Sequence, residues 1–246
     1  MEILDCTIRD GGYITDWNFS NSLVRDIYKV VSMLGLNYFE VGYLDDRKDK
    51  NKWARCKKED IIDATKGVNG TKICAMVDLK NKKNVTLSPA ENHPVSMIRV
   101  CLNKGQLTEG LKYLKEVKEM GYSNTLQLMG ITNYSVSEIR DTINTLNIKD
   151  GIDFVSVADS YGSLTPERTY DIIRLFKQNL HPKLKIGFHP HNGLQLAFAN
   201  TLQAMNAGVD RVDASIYGIG RGAGNLPLEL LILHMERENI LNGKVK

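Results

Sequence analysis

The sequence has little cysteine, no long apolar run and almost no excess of charge. Its four cysteines, Cys6, Cys56, Cys74 and Cys101, form no CxxC pair. Three of them sit in apolar, strand-like runs, so they read as buried free thiols and fit a reducing cytoplasm. No run approaches the ~20 apolar residues of a membrane span. The opening residues MEILDCTIRDGG enter a strand-like segment at once, without a signal-peptide layout, so a cytoplasmic location is expected. Thirty-two basic against 29 acidic residues leave a net charge of +3, which points to neither a nucleic-acid nor a membrane partner. The chain that remains has 42% hydrophobic and 25% charged residues over 246 positions. That is ordinary soluble-globular usage, with length for one (β/α)8 barrel.

The hydropathy pattern alternates strand and helix. Short, near-continuous apolar runs at 2–6, 38–43, 72–78, 96–102, 125–131, 153–159, 184–189 and 211–215 predict eight parallel strands covered by helices. Helical segments are predicted at about 20–34, 105–120, 135–147, 165–179 and 193–207, with a last one after Pro227. Ser20 or Asn21 is the expected cap of the first, and Pro166 sits where proline is best tolerated in a helix. The connection 79–94 is polar and proline-broken, so a short or absent helix is expected there. No linker divides the chain. Eight βα units predict a single-domain TIM barrel over 1–246, of α/β class.

Histidine is scarce, five in all, yet two fall two residues apart in GFHPHNG. His189 and His191 share one face of a strand because strand side chains alternate. In a barrel the catalytic groups gather at the C-terminal strand ends, which brings Asp10, after the first strand, to the same rim. Asp10, His189 and His191 form a two-histidine, one-carboxylate set with open positions for an oxygen-bearing substrate. His93, His181 and His234 read as structural or exposed. Arg9, next to Asp10, is placed to grip a carboxylate or an enolate oxygen, or to make a rim ion pair. Gly11 and Gly12 would admit close backbone approach. The run YGIGRGAGN (217–225) follows the last strand, but no second βαβ half follows it, so it reads as a rim loop rather than a dinucleotide loop. Asn225 in that run is either a fourth metal ligand or the cap of the last helix. The charged loop 44–60 reads as a solvated connection, or as a cover for an acidic substrate through Arg47, Lys52 and Arg55.

LDCTIRDGGY, FEVGY, VADSYG, GFHPHNGLQLAFANTLQAMNAGVDRVDAS and GIGRGAGNLPLELL together resemble the DRE-TIM metallolyases, above all the catalytic barrels of 4-hydroxy-2-oxovalerate aldolases. The resemblance implies that Asp10, His189 and His191 bind the metal and that Asn225 lies beside it. It implies that Arg9 stabilises the enolate, that Ser160 contacts the 2-oxo acid, and that Glu40 is the acidic residue of the second strand. Those aldolases carry a histidine acid/base shortly after the RDG motif, and here that place holds Tyr13. The expected proton-transfer group is therefore Tyr13, with Glu40 or a metal-bound water behind it. The resemblance also implies a divalent cofactor, Mn²⁺ first, with Mg²⁺, Co²⁺, Fe²⁺ or Zn²⁺ as alternatives. The chain ends after the barrel, so channelling to a partner dehydrogenase is not expected.

The implied reaction is metal-dependent cleavage or formation of a 4-hydroxy-2-oxo acid through a pyruvate enolate, with a 2-oxo acid and an aldehyde as small-molecule partners. A Claisen-type acyltransferase using acetyl-CoA is the alternative on the same site, and a non-catalytic binding barrel is the alternative of a different class. Apolar outer helices point to a homodimer.

Overall fold

The computed structural model describes residues 1–48 and 51–240. Two residues of the charged loop (49–50) and the last six of the expected domain (241–246) lie outside the described residues. Eight parallel strands close into a barrel: β1 (Glu2–Asp5), β2 (Tyr38–Tyr43), β3 (Lys72–Asp78), β4 (Val95–Leu102), β5 (Ser123–Leu128), β6 (Phe154–Asp159), β7 (Lys185–Pro190) and β8 (Arg211–Ala214). Each pairs with the next, and Glu2–Asp5 pairs in register with Arg211–Ala214 to close the ring. The helices are α1 (Thr7–Thr15), α2 (Asn21–Met33), α3 (Lys58–Thr65), α4 (Leu107–Glu119), α5 (Val136–Asn147), α6 (Pro166–Asn179), α7 (Ala197–Asn206) and α8 (Leu228–Arg237). The predicted TIM barrel is the observed fold.

Local chemistry explains most of these boundaries. The Ser20 hydroxyl accepts from the Leu23 N–H and starts α2, and Val24, Tyr28 and Val31 on that helix form one buried stripe. Thr165 accepts from Arg168 N–H, with Pro166 in the first turn of α6. Ser135 and Glu138 form a reciprocal capping box at α5. The connection from β3 to β4 contains only two short 3₁₀ turns, 79–84 and 90–92, as its prolines and polarity predict.

Two helices depart from the sequence reading. Arg9 and Asp10 follow the first strand as expected, but they lie within a helix that the sequence does not predict, α1, as do Gly11 and Gly12. This helix lacks a side-chain N-cap and ends in two left-handed residues, Asp16 and Trp17, with φ of 49° and 54°. Tertiary contact holds it: the Trp17 indole donates to the Arg9 carbonyl at 3.0 Å. A Cβ on Gly12 would overlap that indole, so the glycine serves packing rather than a ligand. The second departure is α3, which begins inside the segment read as a plain connection.

The strand alternation separates two interiors. Phe39 and Val41 face the helices and join the main aliphatic core, whereas Tyr38 packs inside the barrel with Leu4, Cys6, Cys74 and Met97. Two residues further along their strands, Glu40 and Arg99 point into the same barrel interior and are fully buried. Buried charge is tolerated only when paired, and here Arg99 pairs with both Glu40 and Asp213. Arg211 below it donates to Thr125 Oγ1 at 2.9 Å and lies over the Phe154 ring at 4.1 Å. All four cysteines are buried and free, as expected.

Candidate metal and active site

Asp10, His189 and His191 converge at the C-terminal mouth of the barrel. Each offers a ligand atom, and these atoms lie within 4.8 Å of one another. Asp10 Oδ2 is 3.7 Å from His189 Nε2 and 3.8 Å from His191 Nε2. That oxygen is buried and has no hydrogen-bond partner among the described residues. The other nitrogen of each ring is already occupied. His189 Nδ1 lies 3.1 Å from Asp213 Oδ2, and His191 Nδ1 lies 3.2 Å from the Gly224 carbonyl oxygen. Both acceptors require an N–H at Nδ1, so both Nε2 lone pairs face the common centre. Burial, and then the neighbouring His189, push His191 down to about 3, which keeps it neutral at pH 7. Burial opposes ionisation of Asp10, but Arg9, followed by the two histidines, holds its carboxyl below the ordinary range. A carboxylate beside two imidazole nitrogens suits a divalent cation.

Asn225 lies next to Asp10: a Cβ placed on Gly220 would meet both Asn225 Nδ2 and Asp10 Oδ2. Asn225 meets His191 in an antiparallel bridge, and its Nδ2 donates to the Ile219 carbonyl at 3.1 Å. Its Oδ1 is buried and unpartnered among the described residues. The capping alternative fails, because Pro227 precedes α8 and no side chain caps that helix. The residues therefore fit a divalent ion: the orphaned Asp10 oxygen and the two imidazole nitrogens share one buried spot, and Asn225 stands beside it.

Arg9 is fixed on two sides. Its Nε donates to Glu40 Oε2 at 2.7 Å and its NH1 to Asp10 Oδ1 at 2.6 Å. The third nitrogen, NH2, is buried and makes no hydrogen bond among the described residues. Glu40 is held in turn by Arg99 NH1 at 2.9 Å, and Arg99 also grips Asp213 and Gln127. A continuous ladder runs from Asp10 through Arg9, Glu40 and Arg99 to Asp213, and returns through His189 to the same centre. Arg99 and Asp213 were missed by the sequence reading. Their signal was a charged residue within an otherwise apolar strand run.

The remaining candidates lie on the rim. Ser160 Oγ accepts from Gly130 N–H at 2.8 Å, and its carbonyl accepts from Arg221 at 2.6 Å. Tyr13 follows Asp10 by three residues on α1 and is 44% exposed. Its hydroxyl lies 2.9 Å from that of Tyr43, the last residue of β2. The basic residues of the loop are engaged elsewhere. Asp45 binds Arg47 and lies 3.7 Å from Arg55 Nε, while Lys52 Nζ donates to Asn21. A groove of about 660 Å³ between α4 and α5 contains none of these side chains.

The HMGL-like family model matches residues 1–246, and the chain belongs to that family. The DRE-TIM resemblance is thereby borne out. The chain is 28% identical to a 4-hydroxy-2-oxovalerate aldolase of Geobacillus genomosp. 3, over 99% of this chain and 72% of that one. It is 25% identical to an oxaloacetate decarboxylase of Mycobacterium tuberculosis, over 97% and 71%. The N-terminal domain of a putative aldolase from Bacteroides vulgatus superposes with a TM-score of 0.82 at 28% identity, covering 100% of this chain and 85% of that one.

Proposed function

We propose that this barrel is a divalent-metal-dependent aldolase, a carbon–carbon lyase that cleaves or forms 4-hydroxy-2-oxo acids through a pyruvate enolate. One observation carries the reading. The uncommitted NH2 of Arg9 sits beside a carboxylate and two imidazoles whose free lone pairs converge. Asp10, His189, His191 and Asn225 would hold a divalent cation, which would supply Lewis-acid polarisation of the 2-oxo group; Mn²⁺ is the proposed ion for this mixed nitrogen–oxygen set.

The chain's own residues do the rest. Arg9 NH2 donates to the oxygen on which charge develops, and it is held in place before the reaction by Glu40 and Asp10. Both oxygens of Glu40 are bound by arginines, so its proposed role is to position Arg9 rather than to exchange a proton. The Ser160 hydroxyl, oriented by Gly130, donates its remaining hydrogen to the substrate carboxylate. Tyr13 is the proposed proton-transfer group at the 4-hydroxyl, with Tyr43 as its hydrogen-bonded partner. When the C3–C4 bond breaks, the aldehyde leaves and C3 takes a proton to give pyruvate.

The test is pyruvate release from a panel of 4-hydroxy-2-oxo acids with Mn²⁺. Oxaloacetate belongs in the panel because loss of CO₂ from it gives the same enolate. Turnover that disappears in His189→Ala is the expected result; no turnover by the wild type, or indifference to that substitution, would sink the reading. The four buried free thiols support a reducing, cytoplasmic location.

A further inference from the structure

A cavity of about 200 Å³ is lined by Tyr13, on the same helix as Asp10, and by Tyr43 at the end of the strand that carries Glu40. Its lining combines the rings of Tyr13, Trp17 and Tyr43 with Asp78, Asn81 and the ion-paired Asp45, Arg47 and Arg55. Its place follows from the fold. Tyr43 and Asp78 end β2 and β3, at the barrel face where this architecture gathers its chemistry. Tyr13 lies one helical turn beyond Asp10, on the same side of α1. The three rings are set edge to face, with 4.6 Å between the Tyr13 and Trp17 rings and 6.4 Å between Trp17 and Tyr43.

We propose that this cavity holds the carbon chain of the aldehyde partner, and that the aldehyde is polyhydroxylated. The inference rests on the pyruvate-aldolase reading above and names the substrate class that reading leaves open. Aromatic faces pack against the C–H groups of a hydroxylated chain, while carboxylates and an amide bind its hydroxyls. A plain alkyl aldehyde would leave those polar groups facing hydrocarbon. An anionic aldehyde would find the lining charges already paired, Arg47 and Arg55 with Asp45 and Asp78 with Lys80, whereas hydroxyls can share their hydrogen bonds. In the condensation direction, C3 of the enolate attacks the aldehyde carbon, the C3–C4 bond forms, and the aldehyde oxygen takes a proton to become the 4-hydroxyl. No oxidant or reductant is required.

The experiment uses the full chain with Mn²⁺ and pyruvate, and compares propanal, glyceraldehyde and glyceraldehyde 3-phosphate as acceptors. Exchange of the pyruvate methyl protons with deuterium is followed separately by NMR. Glyceraldehyde is expected to exceed propanal in kcat/KM by about tenfold or more, as for sites built to bind a substrate hydroxyl. Asn81→Ala and Asp78→Asn, two independent variants, are each expected to collapse that ratio. Normal deuterium exchange with propanal or the phosphate ester preferred, or with a ratio that neither variant moves, overturns the polyhydroxyl assignment alone. Absence of exchange in the wild type overturns the aldolase reading, and this inference with it.

Discussion

Nδ1 of His189 and the Arg99 guanidinium share one oxygen of Asp213. Burial would raise the Asp213 carboxyl, but Arg99 above all, and then His189, hold it well below the ordinary range. It is therefore a permanent acceptor for the imidazole N–H, and it fixes which His189 nitrogen faces Asp10. Asp213→Asn can present an amide N–H there instead and favour the wrong tautomer. The expected result is Mn²⁺ affinity weakened roughly 10- to 100-fold by titration calorimetry. Wild-type affinity in this variant would remove Asp213 from the orienting role.

Arg9→Lys tests the fork geometry. A lysine keeps one charge but cannot bind Glu40 and Asp10 while also presenting a third donor. Pyruvate deuterium exchange should slow by about 10²- to 10³-fold, the usual loss when a transition-state donor is removed. Exchange within a few-fold of wild type would contradict the assignment.

Those two positions were not equally readable from sequence. His189 and His191 were legible because a two-residue spacing on a strand is enough to place them on one face, and a closed barrel supplied Asp10. Asn225 was legible only as one of two alternatives, and the uncapped start of α8 at Pro227 removes the capping one. Arg99 and Asp213 were not legible as partners, since a charge in an apolar strand does not say which residues 114 positions away it meets. The helix α1 was hidden for a different reason. Its two glycines and missing cap argue against a helix locally, and only the Trp17 indole folded back on Arg9 restores it. The Tyr13–Tyr43 pair joins a helix to a strand end, a contact that no local pattern announces.

Tyr13→Phe separates proton transfer from enolate formation. The phenyl ring keeps the contact with Trp17 and removes only the hydroxyl bonded to Tyr43. Cleavage of the 4-hydroxy-2-oxo acid should fall by about 10²-fold or more, with a much smaller effect on pyruvate deuterium exchange. Equal losses in both assays would place Tyr13 outside the acid/base role.

Asp5 predicts a pH effect on stability. Burial raises its carboxyl to about 7, against the two hydrogen bonds from Thr7 that favour the anion. A carboxyl whose pKa is raised in the folded state binds its proton more tightly there. Its contribution is fully present below the unfolded value near 3.8 and is lost as pH rises toward 7. Asp5→Asn mimics the protonated form at every pH. The variant's melting temperature should thus gain on the wild type steadily between pH 4 and 8, measured without added metal. A difference that stays constant across that range would refute the raised value.

Gly220 tests the proposed fourth ligand without replacing any proposed ligand residue. A Cβ there would overlap Asn225 Nδ2 and come within 3.0 Å of Asp10 Oδ2. The Asn225 amide is tied to the rim loop through Ile219, so moving it aside breaks that bond and reorients Oδ1. Gly220→Ala should therefore weaken Mn²⁺ binding by about tenfold or more, the factor expected when the support of a metal ligand is lost. The barrel should remain folded, because the clash is confined to the mouth. Asn225→Ala, which removes the oxygen outright, should match it. If Asn225→Ala binds Mn²⁺ as tightly as the wild type, Asn225 is not a ligand, and any loss in Gly220→Ala then comes from the approach to Asp10.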